Sequence, residues 1–329
     1  MIYEFAVEPA LVASWHDRSA YRFFDGKFGL GTKRALCRFP GKRWRRLVLG
    51  EFQKFFTNPE DKAKKQAAKK RLDALIRHLE HGSTQRNHSW NQDSNWLDCA
   101  LCEHARRPFQ GIVVLQSPDG VDLPEYILDA TTLSEEDMLW NPPARSTPRE
   151  ASELLTDITP LLHHVRNIRL IDPYFDCRED RWKNLLLGLL DIAQNGRAAD
   201  ESITVEIHTS VDREFDRNRV QDEESEREEA KLLVESIKNA VSSVLNGQTK
   251  FYVFVWSDRN YHTTEKLHNR WILTETGGIL LGHGLDTPGK GTDDPSLLSK
   301  NQWEHRCSIY AKESSVFRLV RQEIISGET

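Results

Sequence analysis

Apolar and polar positions divide the chain into segments of differing period. Residues 57–81 (TNPEDKAKKQAAKKRLDALIRHLEH) are rich in Ala, Lys and Leu, acidic at the start and followed by Gly82, which predicts a helix. A second helix is expected over 95–105. RPFQGIVVL (107–115) reads as a strand running into the Ser-Pro-Asp-Gly turn at 117–120. After the proline-rich segment NPPARSTPRE (141–150), strands and helices alternate. A short helix (151–163) leads to a strand over 166–175, an amphipathic helix carrying WKNLLLGLLDIA (182–193), a strand over 202–210, a long helix over 223–245 and a strand over 250–258. A hairpin follows, then a strand near 307–310 and a last helix over 314–324. Strands alternating with helices of ten or more residues predict a layered α/β domain.

At 329 residues the chain is long enough for two domains, and the prolines place the boundary at 145/146. Charge separates the two parts further. Residues 18–77 carry 18 Lys and Arg against 5 Asp and Glu, whereas residues 151–329 carry 22 against 30. Residues 1–145 are therefore expected to form a smaller, basic, mainly helical domain with a short β-hairpin. Its arginine run, with Arg43, Arg45 and Arg46 among Phe39, Trp44, Phe52 and Phe55, suits phosphate contact and base stacking and marks nucleic acid as a candidate partner. A solvated, lysine-dotted face is the competing reading. No apolar run approaches the roughly 20 residues that span a bilayer. The N-terminus has no signal-peptide pattern, and five cysteines fit a reducing compartment, so a cytoplasmic protein without a transmembrane segment is expected.

Candidate chemistry concentrates in HNRWILTETGGILLGHGLD (268–286). Strand alternation puts His268 and Arg270 on one face, Thr276-Gly277-Gly278 supplies the turn, and the return strand enters Gly282-His283-Gly284. Glycines on both sides of a histidine leave backbone N–H groups able to approach an anion closely. An imidazole, a guanidinium and a small-residue loop are thereby aimed at one point, the outline of a phosphate site.

This stretch resembles the signature of the phospholipase D superfamily, His-x-Lys-x(4)-Asp-x(6)-Gly-Ser-x-Asn. His268, Arg270, Glu275 and Gly282 occupy the His, Lys, Asp and Gly positions at the same intervals. The resemblance covers residues 150–329 and implies a phospholipase D-like mixed sheet flanked by helices. Within the superfamily, the His-x-Arg form and the GHGLD ending look most like the C-terminal domain of MIT-domain-containing proteins, which is non-catalytic and binds acidic membranes. The resemblance implies that His268 is the phosphorus-attacking nucleophile, that Arg270 neutralises phosphoryl oxygens, that Glu275 completes the motif, and that Gly282, His283 and Gly284 line the phosphate. Asp172, in IDPYF, is implied as a supporting residue near the site. The chemistry uses a phosphohistidine and needs neither metal nor cofactor.

The sequence also departs from the signature. Lys is Arg and Asp is Glu, while His283 and Leu285 stand at the Ser and Asn positions. Active members combine two motifs and this chain shows one, so catalysis implies a homodimer around a shared site. His16-Asp17-Arg18 lacks the later acid and glycine and is unrelated. Cys99-x-x-Cys102 has zinc half-site spacing without a second pair, and core packing is the stronger reading. His262 and His268 lack further ligands. Three functions stay open: a metal-independent phosphodiesterase or nuclease, a non-catalytic module holding a phosphate, acidic lipid or partner carboxylate, and a purely structural survival of the fold.

Overall fold

The computed structural model describes residues 2–24, 26–80, 82–86, 95–117, 123–162, 165–195, 202–212, 222–257, 265–311 and 316–327. It divides between Ala144 and Arg145 into two compact units. Both are α/β, and helices flank the sheets. No helix among the described residues is long and apolar enough to cross a membrane.

The N-terminal unit is built on a five-stranded sheet. Its elements are β1 (Tyr3–Val7), α1 (Pro9–Ser14), α2 (Arg18–Phe24), β2 (Arg34–Arg38), α3 (Trp44–Lys54), α4 (Lys62–Glu80), β3 (Thr84–Gln85), α5 (Trp96–Arg106), β4 (Gly111–Val114) and β5 (Ile127–Asp129). All strand pairs are parallel, in the order β3-β2-β1-β4-β5. The chain thus winds outward from β1 on one side and returns to wind outward on the other. This replaces the expected mainly helical domain with a short hairpin. A parallel sheet covered on both faces uses short, wholly apolar strands, and alternation, the usual strand signal, disappears. β4, GIVV, which lies within the strand expected over 107–115, is buried at all four positions.

The same burial corrects the stacking expectation. Phe39, Trp44 and Phe52 are core residues, and only Phe55 of that set is exposed. Cys99 likewise packs in the core with Phe39 and Phe109, while Cys102 is exposed. Among the described residues, no group of three or more His, Cys, Asp or Glu could hold a metal ion. His262 lies outside the described residues.

The C-terminal unit contains β6 (Thr147–Pro148), α6 (Ala151–Leu162), β7 (Asn167–Ile171), α7 (Asp180–Gln194), β8 (Ile203–Ser210), α8 (Glu223–Val241), β9 (Thr249–Ser257), β10 (Arg270–Thr274), β11 (Gly277–Leu281), β12 (Thr292–Asp293), β13 (Ser296–Leu297), α9 (Lys300–Ile309) and β14 (Arg318–Ile325). Its seven-stranded sheet has the order β13-β11-β10-β7-β8-β9-β14. The central β7, β8 and β9 are parallel, and β10, β11, β13 and β14 join antiparallel. Long helices supply the parallel crossovers. The buried face of α7 carries Leu185, Leu186, Leu189 and Leu190, and that of α8 carries Leu233, Val234 and Ile237. Both recur at the helical period.

The last two expected elements are reversed. Residues 300–309 form α9, with Ser299 making a capping box with Gln302, and residues 318–325 form the edge strand β14. Cap chemistry decides the first. Pairing along β9 decides the second: the polar sequence RLVRQEII shows no buried face of its own, and its strand state comes from the neighbour.

Candidate functional site

The carboxyl ends of β7 and β11 and the start of β10 meet in a cleft of about 380 Å³. Arg149, Asp172, Tyr174, Glu179, Arg181, Trp182, Arg270, Gly282, His283 and Asp286 line it. These residues come from five separate stretches of chain.

Asp172 follows β7 and is 1% exposed. One carboxylate oxygen accepts the backbone N–H of Tyr174 at 3.0 Å, and the other accepts that of Leu285 at 2.8 Å. Burial pushes this carboxyl up, while those two N–H groups and the facing Arg270 work against the rise. Arg270 Nε stands 4.0 Å from Asp172, and its Nη1 donates to the Gly282 carbonyl at 3.2 Å. The guanidinium carbon lies 4.8 Å from the centre of the Tyr174 ring, a cation–π contact.

His268 precedes β10, so strand alternation does not place it beside Arg270. Tyr174 joins them instead. Its ring carries the Arg270 guanidinium, and its hydroxyl shares a 3.2 Å hydrogen bond with His268 Nδ1. His268 is exposed at the mouth, one hydrogen bond away from the lining.

Glu275 is not brought to this point. It sits in the turn beyond the far end of β10 and accepts the backbone N–H of Arg166 and, at 3.0 Å, that of Asn167. It fastens the hairpin turn to the start of β7. Both bonds lie away from the cleft lining.

The glycine loop differs from expectation in the same way. The N–H of Gly282 and that of His283 both donate to the buried Asp293, at 3.0 and 2.9 Å. They are committed within the protein and are not presented to an anion. Gly284 serves close approach: it has φ +76°, and a Cβ there would lie 2.3 Å from Asp172 Oδ2 and 2.9 Å from Arg270 Cγ. His283 contributes its side chain, which is half exposed and 3.9 Å from Asp293.

Sequence reasoning missed the other pole of the cleft. Arg149 Nη2 donates to Asp286 Oδ2 at 3.0 Å, and Arg181 Nη1 donates to the same oxygen at 3.1 Å. Arg181 also pairs with Glu179 at 3.0 Å and stacks 4.0 Å over the Trp182 ring. Arg149 precedes α6 and Arg181 opens α7, far from the motif in sequence. No local pattern identifies either; Asp286 alone was visible, as the last residue of GHGLD.

Three guanidiniums thus bring up to fifteen N–H donors to the cleft. The carboxylates of Asp172, Glu179 and Asp286 line the same cleft, and the hydrogen bonds named above engage only some of these donors. No protein-family model matches the chain, and no curated protein matches it either.

The N-terminal arginines lie elsewhere. Arg43, Arg45 and Arg46 are exposed at the start of α3. Arg45 reaches toward Asp73 and Glu80 of α4, at 3.9 and 3.6 Å, which offsets part of its charge. The solvent side of α4 carries Lys62, Lys64, Lys69, Lys70, Arg71 and Arg77. The basic stretch is a surface of two neighbouring helices.

Proposed function

We propose that residues 145–329 form a phospholipase D-like module that recognises a phosphodiester or related phosphate group in the Arg270 cleft. One observation carries this reading: Arg149, Arg181 and Arg270, from three separate stretches of chain, face one cleft with few of their N–H groups hydrogen-bonded. The motif spacing and the parallel β7-β8-β9 core followed by the β10-β11 hairpin support the same assignment. The exposed basic helices α3 and α4 support nucleic acid as the source of that phosphate, since polyanion contact needs clustered Lys and Arg on one face.

Binding is the activity best supported, because Glu275 and the glycine-loop N–H groups act inside the protein. A second reading, metal-independent hydrolysis, draws on the Tyr174–His268 hydrogen bond. With Nδ1–H donating to the Tyr174 hydroxyl, the Nε2 lone pair is left for attack on phosphorus. The leaving oxygen then needs a proton donor, which a second copy of the chain would supply in a homodimer.

Calorimetric titration with inorganic phosphate and with a short phosphodiester tests the first reading. Wild type is expected to bind, and Arg270→Ala is expected to weaken binding at least tenfold. No binding at low salt sinks it. Turnover of a diester in EDTA, abolished in His268→Ala, with an acid-trapped adduct on His268, would establish the second.

A further inference from the structure

We infer that the cleft holds a second anion subsite, formed by Arg149 and Arg181, so that its ligand carries two phosphate groups close together. This inference rests on the phosphate reading of the Arg270 cleft.

Size is the first reason. At about 30 Å³ per water molecule in the liquid, a cleft of 380 Å³ holds on the order of a dozen waters, well beyond one phosphate. Ligand clefts of this size ordinarily bury a molecule, not a single ion.

The second reason is how the charges are arranged. Arg270 is held on its own side by the Gly282 carbonyl, the Asp172 carboxylate and the Tyr174 ring. Arg149 and Arg181 form a separate pair, and both direct an Nη at one oxygen of Asp286. Arg181 Nε has a second carboxylate, Glu179, at 3.0 Å, so Arg149, which shares the Asp286 oxygen, is the less satisfied of the two. The Arg149 Nε is buried without a hydrogen-bond partner. An incomplete buried charge network is costly unless a further group completes it. A phosphate has three or more acceptor oxygens and can take bidentate contacts from two guanidiniums at once.

The third reason is connection. Leu285 donates its backbone N–H to Asp172, and the next residue, Asp286, holds the arginine pair. The two arginine groups are therefore tied to one short loop and share one cleft, whose carboxylates Asp172, Glu179 and Asp286 match the three guanidiniums in number.

Pyrophosphate is the probe. Calorimetry on the full chain should show pyrophosphate binding at least tenfold tighter than inorganic phosphate. Arg181→Ala should remove most of that advantage, weakening pyrophosphate far more than phosphate. Arg181 is more than one-third exposed, so loss of folding is not expected; circular dichroism checks it, and Arg149→Gln provides a second variant with the same expected outcome. Arg227→Ala, an exposed arginine of α8, controls for general electrostatics and should change neither affinity. ADP and a soluble inositol bisphosphate, compared in the same way, distinguish phosphates joined through one oxygen from phosphates set on a ring; a loss on Arg181→Ala for either supports the subsite. Equal affinity for phosphate and pyrophosphate, or equal weakening of both by Arg181→Ala, overturns the inference and leaves the Arg270 reading intact. Absence of all binding, or indifference to Arg270→Ala, overturns that underlying reading instead.

Discussion

The buried carboxylate of Asp172 accepts the backbone N–H of Leu285 at 2.8 Å, linking the end of β7 to a loop 113 residues further along the chain. Gly284 passes this carboxylate so closely that only a hydrogen fits. The two arginine poles keep their relative position through this contact. Asp172→Asn retains the shape but replaces one acceptor with a donor, so either Leu285 or Tyr174 loses its partner. A loss of about 1–3 kcal/mol is expected. Gly284→Ala should cost at least as much, because the added methyl also meets an unfavourable positive φ. Chemical denaturation of both variants checks this, and an unchanged midpoint for either counts against the clamp.

Glu275 and Arg270 should separate cleanly. Glu275→Ala removes the acceptor for two backbone N–H groups, those of Arg166 and Asn167. It should cost on the order of 1–2 kcal/mol of stability and leave phosphate affinity within twofold of wild type. Arg270→Ala should show the opposite pattern. If Glu275→Ala abolished binding in a folded protein, the motif acid would belong to the site after all.

His208 gives the C-terminal unit a built-in acid sensitivity. It is fully buried, stacked against Phe254 at 4.7 Å and Trp256 at 5.8 Å. Trp256 Nε1 donates to its Nδ1 at 3.0 Å, and its Nε2 faces Glu206 at 3.3 Å. Burial holds the imidazole down at about 4, despite the pull of Glu206. A histidine whose folded value lies below its unfolded one takes up protons on unfolding. Stability should therefore decline as pH falls from about 6.5 towards 4. Glu206 is held down at about 2: burial opposes this, but His208 and Arg169 outweigh it, and its contribution is lost at still lower pH. Denaturant midpoints at pH 7 and pH 4.5 measure the decline. His208→Gln, which can still accept from Trp256 and donate to Glu206 but does not titrate, should flatten it. A wild-type midpoint constant over that range would refute the assignment.

Nucleic-acid binding through α3 and α4 should fall steeply with salt, in proportion to the number of phosphates neutralised. Charge reversal at Arg43 and Arg46 should reduce both affinity and salt slope. Adding reversal at Arg45 should also lower stability, because a carboxylate there would face Asp73 and Glu80. Electrophoretic mobility shifts across a salt series provide the test. Affinity indifferent to these changes would leave the basic stretch a solvated face.

If the site turns over a diester, it needs a second copy of the chain. Sedimentation at micromolar concentration should then show a dimer. A strict monomer would exclude the shared-site mechanism while leaving phosphate binding to one chain.

The sequence by itself determined the alternation of strands and helices from residue 151 to Leu281, because those strands and helices each carry their own apolar pattern. It also located the hairpin with His268, Arg270 and the Gly282-His283-Gly284 loop, because glycine turns and fixed spacing are local properties. Tertiary structure decided the rest. In the N-terminal unit only β4 was legible, within the strand expected over 107–115; β1, β2, β3 and β5 are short runs without alternation, and only their neighbours make them strands. β14 is a strand because β9 pairs with it. Glu275 and Asp293 became internal acceptors because folding brought backbone N–H groups to them, which composition cannot foretell. Arg149, Tyr174 and Arg181 became parts of one cleft because the ends of separate elements converge there, and side-chain direction across a sheet edge is set by packing over distances that no local window of sequence contains.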